Sequence, residues 1–281
     1  MKNIRFWFVI LFLGSFLFSC ATEKDYLIKI ETRHGDMYAV FFDETPKHKQ
    51  NFIELAQAGR FDSTEFHRVI PEFMVQGGDV FGKEQLPEED WYTLPAEIKP
   101  EFIHSKGMIA AARQGNNVNP ERRSSGSQFY IVQGKVYTKA ELITDMKLLS
   151  ETFFKYIQLS SNAELKDKYR EMYEAKEFDA LNEMMLAEKE NLESFFNVNL
   201  EKPMTPLQVE AYTSVGGTPH LDNEYTVFGQ VIKGLEVMEA ISKEQTGPRD
   251  KPLEPVHMKV SVEQLPKTTI TKEYGYEYKP Q

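Results

Sequence analysis

A single cysteine, Cys20, serves all 281 residues, so the chain can form no internal disulfide and no thiolate zinc cluster. Its six histidines, at 34, 48, 67, 104, 220 and 257, show no HExxH or similar ligand spacing; neither a metal nor a cofactor is expected. Basic residues are in deficit, with 33 Lys and Arg against 43 Asp and Glu and a net charge of −10. That balance disfavours nucleic acid, whose phosphates demand basic surface, and electrostatic adsorption to anionic lipid. Long apolar runs are also missing. The one candidate, from Phe6 to Phe18, falls short of the roughly 20 residues that a spanning helix needs.

What precedes and follows that run gives it a meaning. Lys2 and Arg5 stand before it and Leu17-Phe18-Ser19-Cys20 ends it, the layout of an export signal. The tetrapeptide resembles a bacterial lipobox, which implies cleavage before Cys20 and diacylglycerol on its thiol, with palmitate as an expected acyl group. Losing residues 1–19 takes the net charge from −10 to −12, so acyl chains rather than charge must hold the protein to a membrane. Ala21 and Thr22 lack the aspartate associated with inner-membrane retention, and an outer-membrane site facing the periplasm is preferred, with surface exposure open.

The whole chain is 41% hydrophobic and 12% aromatic, enough to bury a core. Alternation in Tyr26–Glu31 and Met37–Phe42, broken by His34-Gly35-Asp36, predicts a β-hairpin. Thr45 is expected to cap a helix that starts at Pro46 and stops at Gly59. Short apolar runs at 66–70, 73–76, 107–112, 128–132, 226–232 and 258–262 read as further strands of a sandwich or closed barrel. Leu235 to Ser242 reads as a second helix.

Between Tyr137 and Asn197 neither glycine nor proline occurs, and apolar residues recur at helical steps. Leu142, Met146, Leu149, Phe153 and Tyr156 make one stripe; Leu165, Tyr169 and Met172 make another, continued by Phe178, Leu181, Met185 and Leu192. Thr138 with Glu141, and Ser161 with Glu164, have capping-box spacing, and a short helix is expected from Thr205-Pro206. The chain divides into a signal (1–19), a first barrel part (20–134), a helical insertion (135–215), a second barrel part (216–265) and a C-terminal tail (266–281).

The segment Phe66-His67-Arg68-Val69-Ile70-Pro71-Glu72-Phe73-Met74-Val75-Gln76-Gly77-Gly78-Asp79 resembles the signature of cyclophilins. Gly126-Ser127-Gln128-Phe129-Tyr130-Ile131 resembles another block of that family, and Leu221-Asp222 through Gly229-Gln230-Val231 a third. The resemblance implies a mainly β fold, a closed eight-stranded antiparallel barrel capped by two helices, here carrying the α-helical insertion. It also implies peptidyl-prolyl cis/trans isomerisation. Carried over by position, Arg68 and Gln76 are the candidate catalytic residues. Phe73, Met74, Ala112, Tyr130 and Leu221 match the walls of a proline pocket, and Gln128 a polar group beside the substrate backbone. Arg113 stands where many members have asparagine, and changing its side chain is expected to matter little.

The chemistry needs no nucleophile, metal or base. Rotation about an X–Pro bond must cross a barrier of roughly 18–20 kcal/mol set by amide resonance. In the twisted amide the proline nitrogen becomes a lone-pair acceptor, and a fixed guanidinium can then donate to it better than to the planar ground state. An apolar pocket holds the ring while the neighbouring residue turns.

Several positions depart from the family. His220 stands where many eukaryotic members have a rim tryptophan, and Tyr225 where they have histidine, so weak cyclosporin inhibition is expected. Tyr130 replaces phenylalanine and brings a hydroxyl that must find a partner. Lys83 to Asp90 replaces a glycine-rich loop, which suggests a more acidic wall. The insertion, with Met146, Met172, Met184, Met185, Met204 and Phe195-Phe196, reads either as a cover or as an adaptable client-binding arm. The expected activity is isomerisation of proline-containing unfolded or exported proteins by a lipid-anchored monomer. The alternative is a non-catalytic peptide-binding chaperone that uses the same groove and the insertion.

Overall fold

The computed structural model describes residues 23–278; the export signal and Cys20 lie outside them. Strands β1 (Lys24–Thr32) and β2 (Gly35–Phe41) form the predicted hairpin, with Ile28 opposite Ala39. They are followed by β3 (Thr64–Ile70), β4 (Met74–Gly77), β5 (Thr93–Leu94) and β6 (Met108–Ala111). The last four are β7 (Ser124–Ser125), β8 (Phe129–Val132), β9 (Val227–Lys233) and β10 (His257–Pro266). Eight of them close into a barrel in the order β1-β10-β3-β4-β8-β6-β9-β2, every pairing antiparallel, while β5 and β7 pair apart from it. Closure removes the exposed edges that an open sheet would leave.

Helix α1 (Pro46–Gln57) sends Phe52, Ile53, Leu55 and Ala56 into the barrel core, where Phe52 meets Phe41, Phe129 and Phe228. Its cap differs from expectation. Thr45 is fully buried and its hydroxyl donates back to Phe42 O at 3.3 Å. The first-turn N–H groups of Lys47 and His48 donate instead to the Glu97 carboxylate, at 3.2 and 3.1 Å, which also suits the positive end of the helix. Glu97 is about fifty residues away in sequence, so no local pattern could announce it. The buried His48 ring joins this cap, Nδ1–H donating to Glu97 at 2.7 Å and Nε2 accepting from the Ser124 hydroxyl at 2.9 Å. A four-residue helix, α2 (Val80–Lys83), follows β4 and is capped by Asp79.

Desolvation lowers the pKa of the buried His48, and likewise of the half-buried His67, below the ordinary 6.5. The unfolded chain therefore takes up these protons at higher pH than the folded one. Their contribution is complete above about pH 6.5 and is lost as pH falls through the folded values. We expect Tm, followed from pH 8 to pH 5, to decline below about 6.5. A flat profile across that interval would remove this account of the buried histidines.

The insertion contains α3 (Lys139–Leu142), α4 (Met146–Ile157), α5 (Ala163–Glu174), α6 (Phe178–Ala187), α7 (Lys189–Phe196) and α8 (Pro206–Ser214). Leu149, Phe153, Ile157, Met185, Leu192 and Leu200 give it a buried core of its own. Capping boxes form at Thr138 with Glu141 and at Thr205 with Gln208. None forms at Ser161, which lies in a short 3-10 turn and bonds Asn162. The first apolar stripe is also interrupted. Asp145 starts a new helix by accepting from Leu148 N, and Leu142 turns away to join Ile103 and Tyr212. Met146, Met184 and Met185 pack into the insertion core and Met204 against the Tyr212 cluster, whereas Phe195 is exposed.

Helix α9 (Leu235–Ser242) adds Val237, Met238 and Ile241 to the barrel core. The segment read as a tail contains α10 (Lys267–Tyr274), whose Ile270 is buried against Leu27 and Val40 with Tyr274, Tyr276 and Tyr278 around it. Three aromatics at two-residue steps beside one isoleucine cover the outer face of the β1–β2 hairpin, and that apolar demand is why the segment is held there.

Candidate active site

Alternation along the strands divides two sets of residues between the barrel interior and its outer wall. Val75, Ile109, Ala111, Phe129 and Ile131 belong to the interior core. Met74, Ala110, Ala112, Tyr130 and Val132 belong to a second cluster on the opposite side, with Leu221, Phe73 and Tyr225 packed on it. In β3 the pairing with β4 shifts between Phe66 and Arg68. This bulge lets Phe66 and Val69 both point inward and sends Arg68 to the outer cluster, a re-aiming that bulges produce beside functional sites.

Arg68, Phe73, Met74, Gln76, Ala112, Arg113, Tyr130, Leu221 and Tyr225 line one hollow of about 200 Å³. All nine come from the residues selected on sequence. His220 is exposed at the rim, its ring stacked on Phe73 at 5.5 Å. Gln128 lies beyond the hollow and accepts from Gln76 Nε2 at 3.1 Å; it lines a second, larger hollow of about 480 Å³ with Trp91, Tyr92, Glu88 and Arg123. Gln76, Ala112 and Arg113 border both, so the two form a continuous groove.

The backbone that makes this possible is tight. A Cβ on Gly77 would stand 2.7 Å from Glu65 O, and one on Gly78, where φ is +77°, would strike the Phe129 ring. Glycine is the side chain that permits both approaches.

Arg68 is half exposed, and its Nε lies 3.5 Å from Asp250 Oδ2. Asp250 and its neighbour Arg249 both have left-handed φ, 58° and 62°, a conformation disfavoured for such residues. Lys251 ties the same loop to Glu65 at 2.9 Å. Nothing in the signature segment points to Asp250, which is 182 residues from Arg68. Gln76, expected beside the arginine, spends its amide on Gln128 and, at 3.5 Å, on His67.

The Tyr130 hydroxyl finds its partner in His104 Nε2 at 3.0 Å. His104 is itself fully buried, and both its backbone N–H and Nδ1 donate to Asp222 Oδ1, at 2.8 and 3.1 Å. Asp222 also accepts from Tyr212 Oη at 2.7 Å and from Gln208 Nε2 at 2.8 Å. Burial alone would raise the Asp222 pKa, but the bonds from His104, Gln208 and Tyr212 outweigh it and hold the carboxyl below its ordinary 3.8. Burial pushes the Tyr130 phenol well above 10, so it remains protonated. His104, Gln208 and Tyr212 were not among the sequence candidates, and Asp222 was seen only as part of a motif.

The family model for cyclophilin-type peptidyl-prolyl cis-trans isomerases matches residues 27–169 and 185–262. The chain belongs to this family. A Streptococcus pyogenes protein named as a bifunctional phosphatase/peptidyl-prolyl cis-trans isomerase is 31% identical over 234 residues, covering 82% of this chain and 37% of that protein. This chain therefore spans little more than a third of it. Proteins named as peptidyl-prolyl cis-trans isomerases from Staphylococcus saprophyticus and Staphylococcus aureus are each 30% identical, covering 80% and 82% of this chain and 84% and 87% of theirs. A crystal structure of a cyclophilin-type isomerase from Cryptosporidium parvum superposes with a TM-score of 0.49 at 18% identity, covering 86% of this chain and 98% of that one.

Within this cyclophilin two expectations change. Arg113 was expected to be dispensable, yet its side chain is only 4% exposed. It donates to Glu224 O, Gln114 O, Asn116 Oδ1 and Glu224 Oε2, and lies 4.4 Å over the Tyr225 ring. We expect Arg113→Ala to cost about 2 kcal/mol of stability and to raise KM for a proline peptide several-fold, read by thermal melting and steady-state kinetics. Arginines also stand beside part of the supposed acidic wall. Glu84 pairs with Arg60, and in the second hollow Glu88 is accompanied by Arg113 and Arg123.

Proposed function

We propose that the protein isomerises X–Pro bonds in unfolded or exported polypeptides while held to a membrane by lipid on Cys20. Its enzyme class follows from its family; its clients and anchorage are our reading. The observation that carries the catalytic part is a guanidinium, Arg68, at the border of an apolar hollow walled by Phe73, Met74, Tyr130 and Leu221. The hollow receives the pyrrolidine ring, and flanking residues of the peptide run along the groove past Gln76 and Gln128.

In the planar substrate the proline nitrogen shares its lone pair with the carbonyl and accepts poorly. As the amide twists the pair localises on nitrogen, and an Arg68 N–H donates to it. That bond strengthens only on the way to the transition state, so it lowers the barrier rather than merely tightening binding. Asp250 sits against Nε and leaves the two terminal nitrogens for the substrate. No bond is made or broken. A purely passive peptide binder has no need of an arginine placed there.

Residues 17–20 and the acidic mature charge support the lipoprotein part. The test has two arms. The mature protein should accelerate cis-to-trans relaxation of an Ala-Pro peptide in a protease-coupled assay; relaxation no faster than in buffer would overturn the isomerase reading. Cys20→Ser should abolish incorporation of labelled palmitate and shift the protein to the soluble fraction, and continued membrane recovery with label would overturn the anchor.

A further inference from the structure

Both ends of the insertion return to the base of the proline pocket. At the neck, Gly134 and Gly217 approach so closely that a Cβ on either would meet the other's backbone or that of His104. Gly217 bridges to both Ser105 and Lys135, and Thr218 N donates to His104 O at 2.9 Å. From this neck α8 lays Gln208 and Tyr212 against Asp222. A continuous chain of hydrogen bonds then leads from the insertion through Asp222 and His104 to Tyr130, the aromatic wall of the hollow.

We propose that helix α8 of the insertion is a positioning element of the prolyl pocket, acting through Asp222 and His104 on the Tyr130 ring. This rests on the isomerase reading of the pocket. The direction of each bond is set by charge. Ionised Asp222 accepts only, so it draws the imidazole proton to Nδ1 and leaves Nε2 with a bare lone pair. With His104 a neutral imidazole, the Tyr130 hydroxyl donates to Nε2, and its proton points away from the hollow. The ring is tethered at its far end, which a phenylalanine could not be, and the face presented to the substrate ring stays apolar. His104 and Tyr212 are fully buried, so water does not compete for these bonds. The insertion is thereby part of the enzyme's binding machinery rather than an attached cover.

The relay predicts a specific pattern of coupling. Tyr212→Phe keeps the ring among Ile103 and Leu142 and removes only the hydroxyl on Asp222. It should lower kcat/KM for an Ala-Pro peptide roughly three- to tenfold, through KM with kcat nearly unchanged. Tyr130→Phe should do the same. Because both act on one chain of bonds, the double variant should be no worse than Tyr130→Phe alone, which is the non-additivity of a coupled pair. A Tyr212→Phe enzyme within twofold of wild type, or effects that multiply in the double variant, would overturn the proposal. Should Tyr212→Phe fail to fold, Gln208→Glu keeps the cap on Thr205 and sets a carboxylate against Asp222, with the same expectation. Wild-type turnover measured alongside separates the two readings: a silent wild type counts against the isomerase, and the same comparison made by calorimetric binding of the peptide still decides the role of α8.

Discussion

Arg68→Ala is expected to reduce kcat/KM for X–Pro isomerisation by about two to three orders of magnitude, the loss typical of removing one transition-state donor. The loss should fall mainly on kcat, because the planar ground state makes little use of the guanidinium. Folding should hardly change. The Arg68 side chain is 43% exposed and its ion pair with Asp250 is long at 3.5 Å; such pairs contribute about 0–1 kcal/mol. Arg68→Lys keeps the charge without the rigid fork and should recover only a small part of the rate. The measurement is the protease-coupled assay beside a thermal melt. Equal rates for wild type and Arg68→Ala would transfer the protein to the passive peptide binders.

The largest effect on stability is expected at Asp222. Its side chain is only 6% exposed and receives donors from the His104 backbone, the His104 ring, Gln208 and Tyr212. Asp222→Ala leaves all of them without an acceptor in a place where water has little access. Hydrogen bonds to a charged group contribute about 1.5–3 kcal/mol each, and breaking a buried charged network costs about 3–5 kcal/mol. For a chain of this size that corresponds to a fall in Tm on the order of 10 °C. Asp222→Asn, which keeps one acceptor, should fall between the two. Calorimetry of the three proteins decides it, and an unchanged Tm for Asp222→Ala would mean that the network contributes nothing to the fold.

The contrast between these two residues follows what a sequence can and cannot carry. Arg68 stands in a segment whose order of residues is informative in itself, and its neighbours Phe73, Met74 and Gln76 lie in the hairpin that follows. The resemblance of that segment to the family signature was enough to place them together. The groups that hold the site in position come from far away. Asp250 reaches Arg68 across 182 residues, Glu97 caps α1 across about fifty, and His104 meets Tyr130 across 26. No periodicity links such pairs, because they are joined by barrel closure and not by chain repeat.

The same division explains one of the two caps that were misread. Thr138 and Thr205 have their partners three residues on, and both capping boxes form. At Thr45 the third residue on is His48, which cannot complete such a box; the buried hydroxyl turns back to Phe42 and a distant carboxylate takes the helix end. Arg113 shows a related contrast. By comparison it seemed replaceable, whereas four hydrogen bonds and a buried stack on Tyr225 make it a fixed part of the wall.

By itself, then, the order of amino acids determined the alternating strands and the helical texture of the insertion, which depend on periods of two to four residues, while the residues that border the hollow were legible through the family resemblance of three sequence blocks. Only the folded chain decided which partner each polar group would take: Asp250 for Arg68, His104 for Tyr130, α8 for Asp222. Hydrogen bonds act over about 3 Å in space without regard to separation along the chain, so that choice exists only once the barrel has closed and the insertion has returned to its neck.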